Sequence, residues 1–162
     1  MTGSSARRKC SRHWFDLYMK FFNRTLVFDF GSSTTVVCEN DEVVFNEPTA
    51  IAIWPNGRAV IGYKAFMCYS VLPQNQFKPI VAGRVEHHEA FEAYVKVLVK
   101  KLVRFPRLCL KTVVLAIPDD MLKDENTEEC DKAFFEPFRK LGVKEFKVVP
   151  HSIAGFVACC AE

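Results

Sequence analysis

No C-x-x-C pair occurs in this sequence, although it holds seven cysteines, at positions 10, 38, 68, 109, 130, 159 and 160. Most of them sit inside apolar runs, so the spacing supports neither a zinc site nor a disulfide framework, and buried reduced thiols are expected. No apolar run approaches the about 18 residues that mark a membrane-spanning helix. Residues 1–22 lack the small-residue end of a cleavable signal, so a cytoplasmic chain is expected. Internal repeats and low-complexity segments are also missing. Net positive charge is confined to one end. The whole chain carries +3, but residues 1–24 hold six cations (Arg7, Arg8, Lys9, Arg12, Lys20, Arg24) against Asp16, a net +5 that leaves −2 for the rest. That asymmetry argues against a nucleic-acid-binding body and puts any basic partner surface at the N-terminus.

What is present is enough for one sizeable core: 162 residues, 49% of them hydrophobic. "TLVFDF" (25–30) and "TTVVCE" (34–39) read as paired strands, with a third at "EVVF" (42–45). Glu47-Pro48 reads as a turn. "TAIAIW" and "AVIG" then flank the turn signal at 55–57, which suggests a small second hairpin, followed by a short helix over 63–69. Residues 71–83 look turn-like, with Pro73 and Pro79. From His87 to Arg104, Phe91, Tyr94, Val95, Leu98 and Leu102 recur at helical spacing. His87-His88 reads as a solvated helix start, since neighbouring helical positions diverge and no third ligand completes a metal site. "TVVLAI" (112–117) suits a strand covered on both faces. A helix over 125–141 is expected to be interrupted by Pro137 and stopped by Gly142. A strand "EFKVVP" and a small-residue helix over 152–162 end the chain, with Cys159-Cys160 as packing residues.

The stretch "VFDFGSSTT" (27–35) admits two readings. It is the ordinary Gly-Ser turn of a β-hairpin, or it is a phosphate cradle. In the second reading Gly31 lets the backbone approach a ligand, the amides and hydroxyls of Ser32, Ser33 and Thr34 donate to phosphate oxygens, and Asp29 holds a metal-bound water. The element order is three antiparallel strands, an insertion, then alternating helices and strands. It describes half of an actin-like, ribonuclease H-like domain, in which the first hairpin reaches toward a nucleotide.

Several motifs resemble one family. "DFGSSTT" is similar to the first phosphate motif D-L-G-T-A-N-T of the bacterial rod-shape-determining actins (MreB-like), and "VVFNEPTAIAI" is similar to their I-V-x-N-E-P-S-V-V-A-I. "IGYKA", "KPIVAGRVEHHEAFE" and "VVLAIP" follow in the family's order, so the resemblance runs from Leu26 to Glu162. It implies an α/β half domain over 25–162, with its core at 25–45 and 79–162 and a small β-rich insertion at 46–78. It also implies ATP and Mg as cofactors, a phosphate loop at Gly31, Ser32, Ser33 and Thr34, and Asp29 holding Mg through water. Two departures weaken that implication. The family's second half, with the other phosphate loop and the adenine pocket, has no counterpart in this sequence. His151 stands where the family has its water-orienting glutamate, so no catalytic residue is assigned and ATP is expected to bind weakly or not at all.

Residues 1–24 form a basic amphipathic segment. Trp14, Phe15, Leu17, Tyr18, Phe21 and Phe22 make an apolar arc, and Arg12 and Lys20 lie on the charged face, a division of faces that suits a helix lying in a membrane surface. The functional expectation is a cytoskeletal, cell-shape-related module, truncated or divergent, associating with filaments of a full-length relative or of itself at the inner membrane surface. The alternative is an ATP-hydrolysing filament protein whose second half is missing or supplied by a partner.

Overall fold

The computed structural model describes residues 24–68 and 76–154. The N-terminal segment with Arg12, Trp14, Phe15, Leu17, Tyr18, Lys20, Phe21 and Phe22 lies outside the described residues, as do Tyr69 and Cys159-Cys160. Three strands open the fold: β1 (Arg24–Phe30), β2 (Thr34–Glu39) and β3 (Glu42–Pro48). An insertion follows with β4 (Ile51–Ile53), β5 (Ala59–Ile61), α1 (Tyr63–Met67) and β6 (Gln76–Phe77). Next come a short hairpin of β7 (Ile80–Val81) and β8 (Arg84–Val85), then α2 (His88–Leu102), α3 (Pro106–Cys109) and β9 (Leu110–Ile117). A helix made of α4 (Thr127–Cys130), a π-helical turn (Asp131–Phe135) and α5 (Glu136–Lys140) leads to β10 (Glu145–Pro150), after which residues 151–154 are helical.

The main sheet has the order β10-β9-β1-β2-β3. β1 and β10 both run parallel to β9, whereas β2 is antiparallel to β1 and β3 to β2. Alternation along β1 turns Leu26, Phe28 and Phe30 inward and leaves Thr25, Val27 and Asp29 on the opposite, exposed face. The inward rings meet α2 and α5. Phe30 packs edge-on against Phe91 at 5.1 Å between ring centres, and Phe28 against Phe138 at 4.9 Å. With Tyr94, Val95 and Leu98 fully buried, each large side chain contributes roughly 1.5–3 kcal/mol of apolar burial. The expected stripe on α2 is therefore its core face, except that Leu102 is only half-buried.

Several local expectations are corrected. Glu47-Pro48 is no turn: β3 continues through Pro48, paired with Thr34, at an edge where proline's missing N–H breaks no ladder bond. Residues 71–83 are not all turn, because Phe77 and Ile80 begin or end short strands. The β7–β8 hairpin turns on Ala82 (φ 50°) and Gly83 (φ 78°), and alanine at a left-handed position is not a residue that announces such a turn. The strand read as 112–117 begins at Leu110, preceded by the unforeseen turn α3 with Pro106 at its start. The helix read as 125–141 starts at Thr127 and is not cut at Pro137. The backbone instead widens into a π turn just before the proline, with the Glu136 N–H bonded to the Asp131 carbonyl, so the missing proline donor is absorbed without a break. Among the described residues Cys109 and Cys130 are buried, Cys38 and Cys68 are half-buried, and all four are free thiols. No described helix is long and apolar enough to cross a membrane.

Candidate functional site

β1, β9 and β10 are parallel and in register, Asp29 beside Ala116 and Ala116 beside Val149, so the residues that follow them gather at one edge of the sheet. In open α/β sheets this carboxyl edge is where ligands bind. Here it brings together the 31–34 loop after β1, Asp119 after β9 and His151 after β10. Parity explains Asp29: three inward phenyl and leucine positions force it outward, where its side chain is half exposed.

The loop is a tight turn with its own internal order. The Gly31 N–H donates to the Thr34 carbonyl at 3.0 Å, and a Cβ on Gly31 would lie 2.7 Å from that oxygen, so only glycine closes the turn in this geometry. The Thr49 N–H donates to the Ser33 carbonyl, and the Thr49 hydroxyl donates to the Gly31 carbonyl at 2.6 Å. Because that donation uses Thr49's one proton, the buried Thr35 hydroxyl 2.8 Å away must donate to Thr49. The Tyr94 phenol is buried on the same side of the core, and burial pushes its pKa well above the ordinary phenol value. The Ser32 hydroxyl accepts from the Gly83 N–H at 3.1 Å, which ties the loop to the β7–β8 hairpin. Its own O–H stays available.

At the other side of the site His151 Nε2 lies 3.2 Å from Asp29 Oδ1. This is ion-pair distance, but the atoms are off the hydrogen-bond line, and the buried Nε2 has no aligned partner among the described residues. Ser152 anchors the helix that carries His151. Its N–H donates to Asp119 Oδ2 at 3.1 Å and its hydroxyl to Oδ1 at 2.5 Å, so Asp119 caps that helix from the turn that follows β9. These two hydrogen bonds hold the Asp119 carboxyl below its ordinary pKa, the side-chain one contributing most and the nearby His151 imidazole adding to it.

The arrangement can receive an anion. The N–H groups of Ser32 and Ser33 make no hydrogen bond among the described residues, and the Ser33 and Thr34 side chains are exposed, so the turn leaves several donors unused. These residues fit a phosphate group. A metal held by several protein ligands does not fit, since no group of three His, Cys, Asp or Glu side chains converges among the described residues. A water-bound Mg would rest on Asp29 alone, with the His151 ring already against that carboxylate. His87 and His88 are exposed at the start of α2, consistent with a solvated helix end.

The structure thus brings Asp29, Gly31–Thr34 and His151 to one edge. Sequence reading missed Asp119, Thr35, Thr49 and Gly83. The threonines had a signal: each is a polar residue at an inward position of an otherwise apolar stretch. Asp119 had none, since its partner is 33 residues away.

The sequence matches no protein-family model, and no curated protein matches it. Among the solved structures similar in fold are two of MreB5 of Spiroplasma citri, one bound to ADP and one to AMPPNP. The first aligns with a TM-score of 0.61 at 17% identity and the second with 0.60 at 16%, each covering 79% of this chain and 38% of that chain. The chain thus spans 38% of the length of the structures it resembles, and at this identity the likeness establishes the actin-like, half-domain fold.

Proposed function

We propose that this chain is an MreB-like cytoskeletal module, an actin-type half domain that binds the phosphates of a nucleotide weakly and works by associating with other actin-like subunits. The observation that supports this reading best is the convergence of Asp29, the 31–34 turn and His151 at the carboxyl edge of β1, β9 and β10, in a fold whose structural neighbours hold ADP and AMPPNP. Ser32, Ser33 and Thr34 supply donors to a phosphate, Gly31 gives the close approach, and Asp29 is the residue that would hold Mg through water. Bound ATP would supply a charged polyphosphate and, with Mg, a hydrolysable bond. In this chain His151 stands against Asp29, and a neutral imidazole does not replace a carboxylate that polarises an attacking water. Hydrolysis is therefore not part of the proposal for this chain by itself.

The N-terminal segment supplies a second element. An apolar arc of Trp14, Phe15, Leu17, Tyr18, Phe21 and Phe22 backed by Arg12 and Lys20 suits attachment to the inner membrane surface from the cytoplasm, each basic residue near anionic lipid adding about 1 kcal/mol. The test is co-sedimentation of the intact chain, a chain without residues 1–22 and Trp14→Glu, first with anionic vesicles and then with polymerised full-length bacterial actin. The reading expects vesicle binding by the intact chain only and filament binding by all three. Equal vesicle binding by all three, or no pelleting with filaments, would overturn the corresponding part.

A further inference from the structure

One pair of groups at the carboxyl edge has no ordinary interaction to account for it. His151 Nε2 is buried and finds no aligned hydrogen-bond partner among the described residues, yet it lies 3.2 Å from Asp29 Oδ1. Asp29 makes no other ion pair among the described residues. The two hydrogen bonds from Ser152 to Asp119 anchor the backbone that aims the imidazole, so its place beside the carboxylate is built rather than incidental. The His151 side chain is 33% and that of Asp29 54% exposed, and small ions therefore reach the pair.

A close approach of this kind, off the hydrogen-bond line, is the spacing of two ligands on one ion. Imidazole nitrogen and carboxylate oxygen each bind a zinc-like divalent metal at about 2.0–2.2 Å, which sets them roughly 2.9–3.4 Å apart at the about 90–110° angles of octahedral and tetrahedral coordination. The ligand types then choose among cations. Magnesium demands oxygen ligands and gives up its waters reluctantly, and held through water by Asp29 it makes no use of the imidazole. An imidazole suits zinc, nickel and their neighbours in the first row. Since no group of three His, Cys, Asp or Glu side chains converges among the described residues, the protein supplies two ligands and leaves the ion's other positions open. The unused amides of Ser32 and Ser33 follow Asp29 closely in the chain, so a phosphate held by the turn is the natural source of the remaining oxygens.

We propose that Asp29 Oδ1 and His151 Nε2 form a two-ligand site for a divalent cation of the zinc, cobalt or nickel class, whose open positions take oxygens of a phosphate held by the 31–34 turn. Histidine at 151, where the resembled family has glutamate, thus changes which cation the edge takes. The inference deepens the phosphate reading and rests on it only for the ion's remaining ligands. His87 and His88 form no comparable pair: they are exposed, adjacent positions at a helix start diverge, and the His87 ring packs against Phe77 at 5.5 Å between ring centres.

Amide-resolved magnetic resonance of the full chain, titrated with cobalt(II) alone, tests the metal pair. Paramagnetic broadening should centre on residues 29–31 and 150–152, and zinc should displace the cobalt where about a tenfold larger amount of magnesium does not. His151→Ala and Asp29→Asn should each weaken cobalt binding by about tenfold or more. His151→Glu should let magnesium compete. Should a variant lose the native circular dichroism spectrum, the native chain still decides the matter, because zinc should shift the His151 ring resonances and leave those of His87 and His88 in place. Broadening centred on cysteines or on His87 and His88 would overturn the proposal, as would cobalt binding unchanged in both variants or magnesium competing as well as zinc. In a second arm with inorganic tripolyphosphate, zinc should tighten binding at the 31–34 amides by about tenfold or more beyond the effect of magnesium. Loop amides that ignore tripolyphosphate would overturn the phosphate reading and leave the metal pair standing. A silent cobalt titration would overturn the metal pair and leave the phosphate reading untouched.

Discussion

Replacing Gly31 by alanine isolates what the 31–34 turn requires. The added Cβ would sit 2.7 Å from the Thr34 carbonyl oxygen, about 0.7 Å inside the 3.4 Å at which ordinary contact begins. That oxygen is backbone, at the start of β2, and it accepts the Gly31 N–H at 3.0 Å, so it cannot swing away as a flexible side chain would. Either the turn opens and loses that hydrogen bond, costing about 0.5–1.5 kcal/mol, or β2 shifts under an overpacking strain of about 1–3 kcal/mol. Alanine recovers about 0.4–1 kcal/mol by restricting the unfolded chain. The net expectation is a loss of about 1–2 kcal/mol, read as a lower urea midpoint at unchanged slope. An unchanged or raised midpoint would refute the reasoning, because it would mean that the turn has room for a side chain and that its closeness is not what selects glycine.

Thr49→Val keeps the shape of the buried side chain but removes the donor to the Gly31 carbonyl and the acceptor for Thr35. Equilibrium unfolding should show a loss of about 1–3 kcal/mol, since two buried polar groups are left unpaired; a neutral result would show that the threonine pair does not buttress the loop. Asp119→Ala should destabilise the chain at neutral pH by uncapping the helix at residue 151. The Asp119 carboxyl is held below its unfolded value, chiefly by the Ser152 hydroxyl, so its contribution is full above the ordinary carboxylate pKa and fades as pH falls through the folded-state value. Urea titrations should therefore find the gap between native and Asp119→Ala chains closing below about pH 4, and a gap that is constant with pH would contradict the cap.

The sheet was legible because its strands announce themselves chemically. Leu26, Phe28 and Phe30 alternate with polar or exposed positions, Val113 to Ile117 form the continuous apolar run of a central parallel strand, and α2 repeats its buried face at helical spacing. What escaped notice depended on contacts distant in sequence. Glu47 looks like part of a turn, yet its carboxylate lies 2.6 Å from Lys101 Nζ and accepts the Tyr63 N–H, tying β3 both to α2 and to the insertion. The Ala82-Gly83 turn hides because alanine seldom adopts positive φ. At the site, Asp29 and the Gly-Ser loop were readable from the sequence, whereas the meeting of His151 with Asp29 and the capping of its helix by Asp119 exist only once β1, β9 and β10 lie side by side.

The phosphate site proposed at residues 31–34 is incomplete, with donors on one side of a ligand only. The decisive measurement is an amide-resolved magnetic resonance titration of the full chain with Mg-ATP. The amides of Gly31, Ser32, Ser33 and Thr34 should shift together, with a dissociation constant well above the micromolar range, about millimolar, since few contacts offset the lost translational freedom. Asp29→Ala should alter the Mg dependence of those shifts. If the loop amides stayed still while the amides around Lys100, Arg104 and Arg107 moved, ATP would be binding the cation-lined groove at the end of α2 as a mere polyanion and the proposal would fail. Low-micromolar binding at the loop, dependent on Mg and lost in Asp29→Ala, would contradict the incompleteness of the site.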